Sequence, residues 1–309
     1  MDLLLLLAGL AILLGAGDLL VRGAVNLSLR LGIPALVVSL TVVAFGTSAP
    51  ELLISVQSIL AGAPDLALGN VVGSNTANVL LVLGLPALLA GIATSRLQAR
   101  GSYLQMMAAT ALFVALCFAG PLVWWHGLVL LAGLAVMLAL AFRKARAHRR
   151  DGEDEPEGAD PAMPGWRIAV SLALGLVGLP IGADLLIDAA TRLAASWGIG
   201  EAAIGLTLVA VGTSLPELAT SISAAYRRQG EVAMGNVLGS NMFNLLAIIG
   251  IAALVGPIPV GAQFLRFDLW VMAGAALLLA PFVLGWNLSR LWGAALTALY
   301  VGYAALVLA

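Results

Sequence analysis

Two glutamates occupy places where a glutamate is expensive. Glu51 and Glu217 each lie deep in an apolar run and near the end of the same short motif, AFGTSAPEL at 44–52 and AVGTSLPEL at 210–218. A carboxylate in hydrocarbon costs about 2.5–3.5 kcal/mol on insertion scales. A basic partner would offset that cost, yet all fifteen Lys and Arg fall in or beside loops. Protonation or a bound cation remains. Thr47 and Ser48 precede Glu51 by four and three positions and share its helical face, and Thr213, Ser214 and Glu217 repeat the spacing. Pro50 and Pro216 lack an N–H and free carbonyls near Gly46 and Gly212, glycines that let the backbone unwind. Carboxylate, hydroxyl and carbonyl oxygens together form the hard shell that Ca²⁺ and Na⁺ prefer. No His or Cys cluster suits a softer metal.

A second motif follows each first one. GNVVGSNTANVLLVLG (69–84) returns as GNVLGSNMFNLLAIIG (235–250), and both motif pairs are offset by the same 166 residues. Ser74 and Asn78 share one helical face, as do Ser240 and Asn244. Asn70, Asn75, Asn236 and Asn241 are further amides in apolar helices, read as interhelical hydrogen bonders. The pairs Gly69/Gly73 and Gly235/Gly239 have GxxxG spacing, which permits close helix packing.

The elements that carry these residues follow from composition. The chain has 309 residues, 61% hydrophobic and 10% charged, with net charge −1 and mean hydropathy +1.05. Apolar runs of about 20 residues recur, each long enough to cross the bilayer. They are continuous rather than alternating, so the expected fold is an all-α integral membrane protein and not a barrel. Ten spans are read at roughly 3–21, 34–60, 66–91, 103–120, 124–142, 166–190, 200–225, 232–255, 267–285 and 289–308. The first is taken as a retained span, since no basic stretch precedes it and its counterpart recurs at 166–190. Residues 143–165 are a charged, solvated linker between a first five-helix repeat (1–142) and a second (166–309). With the N-terminus outside, thirteen of the fifteen basic residues fall on the inner side, leaving only Arg192 and Arg266 outside. The positive-inside rule then places both termini outside and the linker in the cytoplasm of a cell inner membrane. Five spans per half invert the second repeat, an architecture of secondary transporters with sites near the midplane.

Asp18 and Asp184 are equivalent in the repeat, and are read as paired helix-end groups or as an ion entrance. Trp124, Trp125, Trp166, Trp270, Trp286 and Trp292 read as interfacial anchors. Cys117 reads as a small buried hydrophobe, and no chemistry is assigned to His126 or His148.

The GTSxPEL and GNxxGSNxxN pairs resemble the α-repeats of the Ca²⁺/cation antiporter superfamily, specifically the sodium/calcium exchanger family. The resemblance covers essentially the whole chain. It implies broken helices at both GTSxPE motifs, with the first and sixth spans sliding to alternate access. It also implies a diamond of four cation sites, Ca²⁺ central between the glutamates and Na⁺ flanking. The ligands carried over are Thr47, Ser48, Glu51, Ser74, Asn78 and the Ala44 carbonyl, with Thr213, Ser214, Glu217, Ser240, Asn244 and the Ala210 carbonyl. Archaeal exchangers have Asp at one of the two positions held here by Asn78 and Asn244. The site therefore carries at most two negative charges, which Ca²⁺, two Na⁺ or two H⁺ would each neutralise.

The expected function is secondary active Ca²⁺/Na⁺ antiport, with H⁺- or K⁺-linked antiport as the alternative. No enzymatic activity, cofactor or nucleic-acid partner is expected. The partners are the transported ions and the lipid bilayer, and a monomer suffices because one repeat pair completes a site. A passive channel is disfavoured by the pseudo-two-fold arrangement. A hydrolase using Ser48 or Ser214 would lack a base.

Overall fold

Proline starts these helices and glycine ends them. Pro34 precedes the second helix and Pro64 opens the fourth, where a missing N–H costs nothing. Gly62 and Gly91 follow helix ends at φ 74° and 70°, the left-handed turn that glycine adopts without strain. The computed structural model describes residues 2–95, 97–151, 160, 162–196 and 212–308. Among these, the elements are α1 (Asp2–Leu31), α2 (Ala35–Thr47), α3 (Ala49–Leu60), α4 (Pro64–Ala90), α5 (Arg100–Phe118) and α6 (Trp124–Asp151). There follow α7 (Gly165–Ser196), α8 (Leu215–Tyr226), α9 (Gly230–Val255), α10 (Phe264–Val283) and α11 (Arg290–Leu308). The described residues form no strand beyond two isolated bridges, Ile92 with Leu288 and Leu122 with Ile258.

Eight of the described helices are long and apolar enough to cross a membrane, and α2 with α3 makes a ninth as a pair bent by 43°. The expected span at 200–225 lies partly outside the described residues. The bend falls at Ser48 (φ −87°, ψ 7°), two residues before Pro50. Short π-helical turns at Ser39–Val43, Asn78–Val82 and Phe243–Ile248 begin or end beside Ala44, at Asn78 and beside Asn244. Such widened turns disturb the regular hydrogen-bond ladder and recur at functional sites.

Two helices form the centre. Within their membrane-length windows, α4 is 78% buried and α9 is 89% buried, more than any other span described. These carry the two GNxxGSNxxN motifs, whose Ser74, Asn75, Asn78, Asn236, Ser240, Asn241 and Asn244 are all buried, with Asn70 half-buried. The six tryptophans read as anchors are all exposed.

A separate packing unit lies beside this core. α1 and α7 run antiparallel along each other: Gly9 meets Leu186 and Gly182, Ala16 meets Gly178, Leu20 meets Gly175, and Gly23 meets Leu172. A Cβ on Gly175 would come within 2.9 Å of the Leu20 backbone, so glycine is what lets the two helices touch. Leu13, Ala16, Leu20, Leu179 and Ala183 of this pair pack in a second apolar cluster together with Val38 and Val43 of α2 and Ala219 of α8, while Val21 and Val25 of α1 join the larger cluster around α4 and α9.

Three readings are sharpened. The run at 143–151 continues α6 as helix instead of ending it, as its Arg, Lys and Ala content favours. The start of the charged linker is therefore helical, and near its end the Asp160 amide donates to Asn26 Oδ1 at 2.8 Å. Arg22 lies within α1, where it pairs with Asp18 at 3.0 Å. Gly46 sits in a helical turn and not in a left-handed one. A Cβ there would lie 2.0 Å from a Leu176 methyl, and one on Gly212 would lie 2.4 Å from an Ile187 methyl. These glycines make room for α7.

Candidate cation site between the two repeats

The bend at Ser48 turns the first motif toward the second. Ser48 Oγ donates to Glu217 Oε1 at 3.0 Å, a hydrogen bond between halves of the chain 169 residues apart. Thr47 Oγ1 donates to Asn236 Oδ1 at 3.3 Å and also lies 3.4 Å from the Ala44 carbonyl. Glu51, Glu217, Ser48, Ser74, Ser240, Asn78 and Asn244 are all at most 3% exposed, and Thr213 and Ser214 are buried too. Among the described residues no ion pair reaches either glutamate; the acids that do pair with arginine are Asp2 and Asp18.

The backbone around each glutamate is held by a matching pair of bonds. Asn70 Nδ2 donates to the Glu51 carbonyl at 3.2 Å and to Ser55 Oγ at 3.0 Å. Asn236 Nδ2 donates to the Glu217 carbonyl at 3.3 Å and to Ser221 Oγ at 3.5 Å. The two sets are offset by 166 residues, so the repeat is visible at the level of single hydrogen bonds.

Buried polar atoms in folded proteins nearly always have partners. Eight described buried side-chain atoms have none: Glu51 Oε2, Glu217 Oε2, Asn78 Oδ1, Asn244 Oδ1, Thr213 Oγ1, Ser214 Oγ, Ser240 Oγ and His126 Nε2. Seven of the eight are oxygens, and all seven belong to residues carried over as ligands. Lone pairs with no donor, on residues drawn from both repeats, have the chemistry of a cation shell. Thr47 and Ser48 spend their hydrogens within the site, which leaves oxygen lone pairs available as well. Ala210 lies outside the described residues.

Comparison with known proteins fits this chemistry. The family profile described as sodium/calcium exchanger protein matches residues 1–143 and 167–309. The chain belongs to the sodium/calcium exchanger family. This exchanger is 34% identical to the putative antiporter CaxA of Alkalimonas amylolytica over 96% of its own length and 95% of that protein's. It is 32% identical to the sodium/calcium exchanger MaX1 of Methanosarcina acetivorans, over 97% and 96% of the two chains. A structure of the sodium-calcium exchanger NCX_Mj, soaked with Na⁺ and Ca²⁺, superposes with a TM-score of 0.85 at 30% identity, covering 98% of this chain and 97% of that one. The exchanger is thus a multi-pass membrane cation antiporter and not an enzyme.

Sequence reasoning passed over Ser55 and Ser221, which brace Asn70 and Asn236. Their signal was present: both are serines, 166 residues apart, one helical turn beyond the glutamates.

Proposed function

We propose that this exchanger moves Ca²⁺ against Na⁺ at a single mid-membrane site built by both repeats. The observation that carries the reading is the set of seven buried oxygens without donors, all on Glu51, Asn78, Thr213, Ser214, Glu217, Ser240 and Asn244. The proposed ligands are the side chains of those residues with Thr47, Ser48 and Ser74, and the carbonyls of Ala44 and Ala210. Ca²⁺ lies between Glu51 and Glu217, where two negative charges match its own, and Na⁺ takes the flanking oxygens.

The proposed frame is ten helices in two inverted five-helix repeats, 1–142 and 166–309, joined by a cytoplasmic linker at 143–165. Both termini lie outside the cell inner membrane, and both GTSxPE motifs break their helices. The 43° bend between α2 and α3 and the antiparallel run of α1 along α7 support this frame. Alternating access comes from α1 and α7 moving together over the core. Their glycine-mediated contact along most of their length supports motion as one body.

A second reading has one observation in its favour. Asn78 and Asn244 are both amides, so the charge count at the site also balances for one Ca²⁺ against two H⁺. Sealed vesicles holding the purified chain separate the readings. An outward Na⁺ gradient is expected to drive ⁴⁵Ca²⁺ uptake, and uptake follows its size. Uptake driven by a pH gradient and indifferent to Na⁺ would replace Na⁺ by H⁺ as the coupling ion. Ca²⁺ flux without any counter-ion gradient would make the protein a channel.

A further inference from the structure

Four asparagines, two from each repeat, form a closed figure between α4 and α9. Asn75 Nδ2 donates to the backbone carbonyl of Asn241 at 3.3 Å, and Asn241 Nδ2 donates to the carbonyl of Asn75 at 3.5 Å. A backbone carbonyl can only accept, so both of these NH₂ groups are committed and their orientation is fixed. Asn75 Oδ1 and Asn241 Oδ1 then point the other way, and an acceptor needs a donor. Asn244 Nδ2 donates to Asn75 Oδ1 at 3.0 Å, and Asn78 Nδ2 donates to Asn241 Oδ1 at 3.0 Å. Each bond crosses from one repeat to the other. The oxygens of Asn78 and Asn244 are left buried and without a partner.

An asparagine amide has nearly the same shape either way round, and only its hydrogen bonds decide which end faces a ligand. An NH₂ group turned toward a cation repels it. We propose that Asn75 and Asn241 are positioning residues that hold the amides of Asn244 and Asn78 oxygen-inward. This inference rests on the cation site proposed above.

A double-substitution cycle on the purified full chain tests it, reading the half-saturating Ca²⁺ concentration from thermal stabilisation. Asn241→Leu frees the Asn78 amide to turn and is expected to weaken Ca²⁺ by about tenfold, the value of one buried hydrogen bond. Asn78→Asp serves as the reference, because an aspartate has no wrong end to turn toward the ion. Combining Asn78→Asp with Asn241→Leu is therefore expected to bind Ca²⁺ about as tightly as Asn78→Asp alone. If Asn241→Leu costs the same factor with either residue at 78, Asn241 only ties helices together and the positioning role is wrong.

Side-chain amide NMR reads the orientation without any ion. The NH₂ protons of Asn78 and Asn244 are expected to exchange slowly, and to lose protection in Asn241→Leu and Asn75→Leu respectively. Rapid exchange in the unsubstituted chain sinks the positioning role. If instead those protons are protected but neither Ca²⁺ nor Na⁺ stabilises the chain, it is the cation-site reading that fails.

Discussion

At Glu217 one carboxylate oxygen takes a hydrogen bond from Ser48, and the other faces no donor. Glu51 Oε2 is equally bare. A group so placed neutralises a cation with its charge or carries a proton, and a glutamine in its place keeps an oxygen but supplies neither the charge nor the proton. Glu51→Gln and Glu217→Gln are each expected to abolish Ca²⁺ exchange in vesicles while leaving a folded protein. Ca²⁺ at a hundredfold its dissociation constant stabilises a binding protein by about 2.7 kcal/mol, and thermal unfolding should show that increment vanish in both variants. Retained Ca²⁺ uptake by either variant would remove the glutamates from the site. Asn236→Leu is a different case, since it strips donors from the Glu217 carbonyl and Ser221 and an acceptor from Thr47. It should cost about 1–3 kcal/mol of stability in the absence of ions, measured by chemical unfolding. At this scale the sequence was informative about which polar residues lie together: Thr47, Ser48 and Glu51, three and four positions apart, are buried around the bend. It was silent about pairing. Nothing in a spacing says that Ser48 reaches the glutamate of the other repeat, or that Asn75 answers Asn244.

The helices divide into a core around α4 and α9 and a pair, α1 with α7, laid beside it. Two contacts of that pair should respond differently to one added methyl. At Gly175 the new Cβ meets Leu20 backbone at 2.9 Å, and backbone cannot step aside. At Gly46 it meets the end of the Leu176 side chain, which can change rotamer. Gly175→Ala is therefore expected to lose about 1–3 kcal/mol of stability and Gly46→Ala clearly less, with thermal unfolding as the measurement. Equal losses would show that Leu176 is as immovable as the backbone. The pair is also tied to the core unevenly. Asp18 on α1 accepts from Arg227 and from Ser223 at the end of α8, with Gly17 packed beneath Ala219. The residues 166 positions earlier are Ala61 and Gln57, so α7 has no matching arginine on α3. This ion pair is one-third exposed, worth about 0.2–1 kcal/mol, enough to shift a conformational balance by a few-fold. Arg227→Gln should speed amide hydrogen exchange around residues 14–22 and leave 180–188 unchanged. Equal change on both helices would contradict an uneven tie. The repeat made both helices easy to find, but repeat logic treats them as equals. The arginine that distinguishes them belongs to a loop-side position where the two halves are free to differ.

Across the whole molecule, the proposed orientation rests on the thirteen basic residues that it would place on one side. Cys117 is buried at 1% exposure, so a cysteine introduced at Gly158 in the linker would be the reactive thiol. An impermeant maleimide is expected to label it from the cytoplasmic side alone, and labelling of intact cells from outside would reverse the topology. The 166-residue offset made the two-fold plan legible before any coordinates. The length of α6 was not, because charge alone does not separate a solvated helix from a solvated coil. The four-asparagine figure carries a meaning of its own. Asn75 and Asn241 are the same position in the two repeats, and so are Asn78 and Asn244. Every bond of the figure is therefore one that a half-length chain could form with an inverted copy of itself. An interface in which residue i meets j while j meets i is that of a symmetric dimer. The contact at the heart of this single chain has the form of a handshake between two identical proteins.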